Sequence, residues 1–461
     1  MIRPKAYFNL LSILICLITL SGCKTQKQNL SAVTIVPKKQ YLEITMDYST
    51  GISAREMGIL LGKAYLKSIP ELPKIFDFLI GQLAVDKKAK CSDLIGTALE
   101  MIPHLQSTKI LSQNGTYLDE INGIGSVLVN TEKDICGDGK LSLHELYLVN
   151  LFLDVLGGEK YYTPDNRRKK LKGGACNGIS INGVESETGG VLTGRILDWA
   201  DAAAMCGMHT VTIIKYKTKA IISVGFIGIQ GLITGISSDY MFAGLLYSHT
   251  GKKFSYSKPH SLLFDLRYVL ENYSTLNDAA EYTINTKFDY MMNNLLILSD
   301  AAEGLIVEND FTKAAGNTQR RAIRKYNSEL NAGIPWSFSS TVATVNGFAL
   351  KGQFDNLTAQ DYNYNRWNSF RSQLFKQLQN KEKKVSKEGL ENIMTYYTGK
   401  QPGDFHDGDI YDDYTKHIAL FTVTGSGDQK SGSLDVFFCP KEGSLPQKPD
   451  FVNVFKLPGK E

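Results

Sequence analysis

An α+β fold follows from three features of the 461-residue chain. A helical period runs through about residues 51–152, short β-branched and glycine-punctuated segments follow residue 176, and helix and strand patterns then alternate to the end. In the first region apolar residues recur at three- and four-residue spacing through 57–65, 94–105 and 143–153, which predicts helices. Residues 179–181, 191–199, 210–216, 220–229 and 241–247 read as strands of one sheet built from successive pairs. A helical stretch covers 261–283. Residues 294–299 and 304–308 form a hairpin around Asp300-Ala301-Ala302-Glu303, helices fit 366–378 and 388–397, and a last hairpin runs through 417–423 and 433–438. No internal repeat of fixed period is present.

Composition excludes whole classes of function. At 43% hydrophobic and 21% charged the chain is globular rather than fibrous or low-complexity. Its net charge of +4 falls to +2 once Arg3 and Lys5 are set aside with the leader, too even for a nucleic-acid footprint. That leader is residues 1–22, a secretion signal with Arg3 and Lys5 as its charged start and a mostly apolar run over 10–20, too short to span a bilayer. Leu20-Ser21-Gly22-Cys23 resembles the bacterial lipoprotein box, so Cys23 is expected to carry the lipid and residues 23–45 to serve as a tether. The protein is then expected in the bacterial cell envelope, held at the membrane and facing the periplasm or exterior.

Of seven cysteines, Cys16 goes with the leader and Cys23 to lipid, leaving Cys91, Cys136, Cys176, Cys206 and Cys439. Five is odd, so in an oxidising compartment at least one thiol stays unpaired and becomes a candidate nucleophile. The pairing of the other four is open, a Cys91 to Cys439 bridge being one arrangement that topology allows. No Cys-x-x-Cys and no His cluster accompanies them, which argues against zinc.

Two loops stand out. Asn166-Arg167-Arg168-Lys169-Lys170 followed by Gly173-Gly174 reads as an exposed basic loop, accessible to cleavage. Residues 134–145 follow an EF-hand pattern, with Asp134, Asp138, Lys140, Ser142 and Glu145 as possible calcium ligands. Cys136 in the third position is a poor calcium ligand, and Ser142 with Glu145 equally fits a capping box opening the next helix.

The chemistry centres on Gly174-Ala175-Cys176-Asn177-Gly178, followed by Thr193-Gly194-Arg195-Ile196-Leu197-Asp198-Trp199. In an antiparallel pair the end of the second strand returns beside the start of the first, which would bring Arg195 and Asp198 to Cys176. A cation there favours the thiolate, and a carboxylate can orient the amine or thiol by accepting hydrogen bonds. A structural ion pair is the competing reading of Arg195 and Asp198.

These segments resemble the N-terminal-nucleophile hydrolases of the choloylglycine hydrolase, acid ceramidase and N-acylethanolamine acid amidase superfamily. Residues 51–58 with Gly62, then Leu118-Asp119-Glu120-Ile121-Asn122-Gly123-Ile124, then residues 145–150, are similar to its helical propeptide. Asp300-Ala301-Ala302-Glu303-Gly304 resembles its middle hairpin and Arg366-Trp367 its late helix. The resemblance implies a four-layer αββα sandwich over 176–461, preceded by a helical propeptide or α-subunit over 46–175. It implies self-cleavage between Ala175 and Cys176, giving α- and β-subunits, with Cys176 as nucleophile and Arg195 and Asp198 positioning it. It assigns Asn346, in Ala343-Thr344-Val345-Asn346-Gly347, to the oxyanion hole and Arg366 to the supporting network. Val345 stands where the family usually has Thr, Asn363-Tyr364-Asn365-Arg366-Trp367 offers a rival alignment, and Ala243-Gly244-Leu245-Leu246-Tyr247-Ser248-His249 lacks the asparagine some members place there.

A freed α-amine has a pKa of about 7.7–8.0 and takes the thiol proton without a histidine. The expected reaction is hydrolysis of a linear amide bond in a small-molecule N-acyl amine, lipid-like by the resemblance of the helical region to ceramidases. It needs no cofactor. Acyl transfer or penicillin or bile-salt cleavage within the same superfamily, and a non-catalytic surface binding lipoprotein, are the alternatives.

Overall fold

The computed structural model describes residues 28–29, 32–157, 176–199, 203–248, 256–311, 320–353, 362–379, 382–399, 408–425, 429–441 and 444–457. The anticipated signal, Cys23, the basic run 166–170, Ala175 and His249 lie outside these residues.

In chain order the structure opens with strands β1 (Gln28–Asn29), β2 (Val33–Pro37) and β3 (Leu42–Asp47). Helices α1 (Ala54–Ser68), α2 (Leu72–Lys87), α3 (Cys91–Leu99), α4 (Ile102–Ser107), α5 (Tyr117–Leu128) and α6 (Leu143–Gly157) follow. Then come β4 (Asn177–Ile181), β5 (Gly189–Asp198), β6 (His209–Lys215), β7 (Ala220–Phe226), β8 (Thr234–Ser237), β9 (Phe242–Tyr247) and β10 (Pro259–His260). Helices α7 (Leu262–Asn272) and α8 (Leu276–Thr283) precede β11 (Asp289–Tyr290), β12 (Asn294–Ser299), β13 (Gly304–Asp310), β14 (Arg320–Arg324) and β15 (Thr341–Thr344). The chain closes with α9 (Tyr362–Gln377), α10 (Lys387–Met394), β16 (Thr415–Thr424), β17 (Ser431–Phe438) and β18 (Val452–Leu457).

The chain divides into two units. The first comprises residues 1–152, 202–218 and 224–230, the second 153–201, 219–223 and 231–461. The first unit holds α1–α5, most of α6 and the strand order β1-β2-β3-β6, in which β3 and β6 are parallel. Ser53 and Glu56 form a capping box at the start of α1, and Thr116 and Asp119 do the same for α5. These two helices touch backbone to backbone. A Cβ on Gly58 would stand 2.1 Å from the Glu120 carbonyl oxygen, and one on Gly123 would stand 2.2 Å from that of Arg55. Only glycine fits either position.

Three expectations change here. The stretch read as a tether contains β2 and β3, because Val33 and Ile35 alternate with more exposed residues and bury one face. The helical pattern over 94–105 is broken between α3 and α4, where Pro103 starts a new helix in its first turn. The stretch 261–283 divides at Tyr273, because Thr275 caps a second helix by accepting the Asp278 N–H.

The second unit is a four-layer αββα sandwich. One sheet contains β8-β9-β12-β13-β14, the other has the order β15-β4-β5-β16-β17-β18. The sheets face each other through β12 and β13 against β4 and β15, and through β9 against β5. Helices α7 and α8 cover the outer face of the first sheet, while α9 and α10 cover the second. The second helix layer is sealed by Ile179, Ile181, Leu192, Ile196 and Ile418 packed against Trp367, Phe370, Leu374, Ile393 and Met394, all fully buried.

Cys91 pairs with Cys136 rather than with Cys439. Cys206 and Cys439 are each in a disulfide as well, so among the described residues Cys176 is the free thiol. The Cys91–Cys136 bond closes a 45-residue span. Replacing Cys136 by Ser is expected to cost about 2–4 kcal/mol of stability, measured as a lower urea midpoint. An unchanged midpoint would mean that the hydrogen bonds of the loop already hold it.

Candidate active site

Cys176 is the residue before β4, and β4 runs antiparallel to β5 with Gly178 opposite Arg195 and Asn177 opposite Ile196. This register returns the end of β5 to the thiol, as the strand argument expects. Arg195 and Asp198 are three residues apart, so the period-two alternation of a strand sends their side chains to opposite faces. Arg195 enters the layer between the sheets, and Asp198 faces α9.

Between the sheets, Arg195 Nη2 lies 3.6 Å from Cys176 Sγ and donates to the Leu245 carbonyl oxygen at 2.5 Å. Its Nη1 is 3.1 Å from His417 Nε2, which also lies 3.1 Å from Thr234 Oγ1. A guanidinium only donates, so Nε2 accepts from it. The arginine stem crosses Gly244, where a Cβ would sit 3.0 Å from Arg195 Cγ. Arg195 is fully buried.

On the helix face, Asp198 Oδ1 accepts a 2.8 Å bond from Thr415 Oγ1, and Oδ2 is 3.7 Å from Arg366 Nη1. The thiol meets the Asp198 carbonyl oxygen, at 4.0 Å, while the carboxylate is turned to Thr415 and Arg366. Arg366 Nη2 donates to Asn346 Oδ1 at 3.0 Å and to Asn363 Oδ1 at 2.6 Å. The two rival asparagines therefore share one guanidinium. Asn346 Nδ2 donates to the Tyr247 carbonyl oxygen at 2.5 Å. With Oδ1 fixed by Arg366, this amide nitrogen is the group that could turn toward a developing oxyanion.

Sequence reasoning missed Thr415, Asp412, Tyr362 and His417. For Thr415 and His417 the reason is a β-bulge. Thr415 pairs with Asp198 and His417 with the adjacent Leu197, so one extra residue, Lys416, sits in β16. Residues two apart on a regular strand share a face, but across the bulge Thr415 reaches Asp198 and His417 reaches Arg195.

Burial pushes the Cys176 thiol up; the Arg195 charge offsets part of this, and Asp198 opposes that relief. Burial also lowers Arg195. Asp198 is raised well above the usual carboxylate range, by burial first and then by the charge of Asp412, against Arg366 and Thr415. Among the described residues the polar contacts of Sγ are a guanidinium and a carbonyl, and neither takes a proton near neutral pH. Burial thus favours the protonated thiol, set between a guanidinium and a carbonyl.

Residues of metal-ligating type gather in the first unit at the loop 134–145. Cys136 is spent in the disulfide. Ser142 N–H donates to Glu145 Oε2 at 2.7 Å and Glu145 N–H to Ser142 Oγ at 3.1 Å, which is the anticipated capping pair. Asp134 accepts from Ser142 Oγ at 2.6 Å, Lys140 N–H donates to Asp138 at 2.8 Å, and Asp77 of α2 accepts from Gly137 and Gly139 N–H. Burial, then Asp77, Asp134 and Asp138, raise the Glu145 carboxyl.

Replacing Arg195 by Lys removes the fork that joins the thiol, Leu245 and His417. The Cys176 pKa is expected to rise, because the guanidinium charge that offsets burial moves away from the thiol. The pH dependence of iodoacetamide alkylation reads this directly, and an unchanged profile would detach Arg195 from the thiol.

No family model matches the chain, and no curated protein matches it. Among solved structures, an N-acylethanolamine-hydrolyzing acid amidase ortholog of Caenorhabditis elegans is similar over 53% of this chain and 92% of its own, at 12% identity and a TM-score of 0.36. One variant of the conjugated bile acid hydrolase of Clostridium perfringens is similar over 62% of this chain and 95% of its own, at 11% identity and a TM-score of 0.34. A second variant of that enzyme covers 61% and 98%, at 11% identity and a TM-score of 0.33.

Proposed function

We propose that this chain is a self-processing cysteine amidase that hydrolyses the carbon–nitrogen bond of an N-acyl amine and is tethered to a bacterial envelope membrane through a lipid on Cys23. The observation that carries the proposal is the free Cys176 thiol, 3.6 Å from a buried guanidinium at the start of a strand in an αββα sandwich. In the processing step Cys176 Sγ adds to the Ala175 carbonyl and the thiol proton passes to the departing nitrogen. Water then cleaves the thioester, leaving a carboxyl on Ala175 and an α-amine on Cys176.

That amine supplies the base. In turnover it takes the thiol proton, the thiolate adds to the substrate carbonyl, and the substrate amine leaves with the proton. Water hydrolyses the thioester and restores the thiol. Asn346 Nδ2, released from Tyr247, would stabilise the oxyanion, with Arg366 holding the other end of its amide. No cofactor enters this reaction. Asp77, Asp134, Asp138 and Glu145 would be the acidic ligands of any structural calcium at the loop 134–145, and a calcium-dependent rise in Tm would reveal one.

One observation favours a non-catalytic binding lipoprotein: the nitrogen of Asn346 is already satisfied by Tyr247. The two readings separate on intact mass and N-terminal sequencing of the mature protein beside Cys176→Ala. Self-processing yields a fragment beginning at Cys176 that the variant lacks, whereas a stable single chain in both supports binding alone. In the processed protein, Asn346→Ala is expected to lower turnover of an N-acyl amide by roughly 10²- to 10³-fold. A smaller loss would remove Asn346 from the oxyanion hole.

A further inference from the structure

The fully buried Asp412 stands behind Asp198 and belongs to neither the nucleophile nor the oxyanion hole as described so far. It sits in the turn that leads into β16. Thr415 joins the Asp198 carboxyl to the Asp412 backbone: its hydroxyl donates to Asp198 Oδ1 at 2.8 Å and accepts the Asp412 N–H at 3.3 Å. Asp412 Oδ1 accepts the Tyr414 N–H at 2.9 Å, and Oδ2 accepts the Tyr362 hydroxyl at 2.9 Å. Tyr362 in turn lies under the Arg366 guanidinium, with 4.6 Å to the ring centroid. Asp412 therefore has a donor on each oxygen. Asp198 Oδ2, equally buried, has no hydrogen-bond partner among the described residues, only the 3.7 Å approach of Arg366.

The asymmetry decides which carboxyl holds charge. We propose that Asp412 is a positioning residue that carries the negative charge of the pair and so keeps a proton on Asp198, the residue whose carbonyl oxygen meets the Cys176 thiol. The charged and titratable groups facing Asp412 are Tyr362 and Arg366 of α9, Asp198 of β5 and the adjacent Asp413. Those facing Asp198 are Arg195, Arg366, Cys176, Tyr362 and Asp412. Burial raises Asp412 to about 6, so it is ionised at neutral pH, and its charge then adds to burial in raising Asp198. A neutral Asp198 does not oppose thiolate formation, whereas an ionised one does. This deepens the proposed function and rests on Cys176 being the nucleophile, but its test reads the thiol rather than turnover.

The rate of Cys176 alkylation by iodoacetamide, followed by mass spectrometry between pH 5 and 9, tests the proposal. In Asp412→Asn the Asp198 proton is lost at lower pH. Alkylation at pH 8 is then expected to slow by about tenfold, with no change at pH 5, below the Asp412 value of about 6, where Asp412 carries little charge to lose. In an Asp198→Asn background the same Asp412→Asn change is expected to have no effect. Thr415→Val, which removes the donor to Asp198, is expected to shift the rate in the opposite direction and remains readable if Asp412→Asn fails to fold. An equal rate for Asp412→Asn at pH 8, an effect that persists without Asp198, or slowing by Thr415→Val would each overturn the proposal. Absence of amidase activity with these shifts present would instead count against the proposed reaction alone.

Discussion

Burial of Arg195 within the second unit is the constraint on which the rest of the site depends. A guanidinium removed from water loses several kcal/mol of hydration unless acceptors are placed around it. The protein supplies a carbonyl from β9, an imidazole from β16 and a thiol from the residue before β4. Three separate strands are thereby fixed around one side chain, and the thiol is among the groups that fix it. Displacing Cys176 would leave a buried cation short of an acceptor, so the geometry of the thiol is tied to the stability of the sandwich.

The second guanidinium works on the other side of the same sheet. Arg366 lies against Asp198, over Tyr362, and holds two asparagine oxygens. Two arginines and two aspartates balance in charge only when both carboxyls are ionised, and burial resists that state. Small changes around Asp198 and Asp412 therefore change the field at Cys176 more than an exposed ion pair could, since screening by water is weak there.

Much of this was legible in the amino-acid order. The change from a helical to a strand period marks the α+β fold, and antiparallel pairing brings Arg195 and Asp198 back to Cys176. The glycines at 58 and 123 also stand where two helices meet. What was hidden has physical reasons. Val33 and Ile35 belong to a five-residue strand ending in Pro37, short enough to be overshadowed by the polar run 24–29 ahead of it. The break before Thr275 depends on one capping hydroxyl. Asp412, Thr415 and His417 lie more than 200 positions from Cys176, and the reach of Thr415 and His417 to opposite faces depends on a single inserted residue whose presence only the paired strand reveals.

That inserted residue has a wider meaning. Because β16 changes face at Lys416, one short segment reaches both the guanidinium layer and the carboxyl layer, while the Lys416 carbonyl accepts the Cys439 N–H and passes the ladder on toward β17. The two halves of the site are wired through one strand yet surrounded by different neighbours. Substitutions in α9 would adjust acidity on one side, and substitutions in β8 or β9 would adjust the thiol on the other. Such a division gives drift two routes to one thiol, through the carboxyls and through the guanidinium, with the bulge joining them.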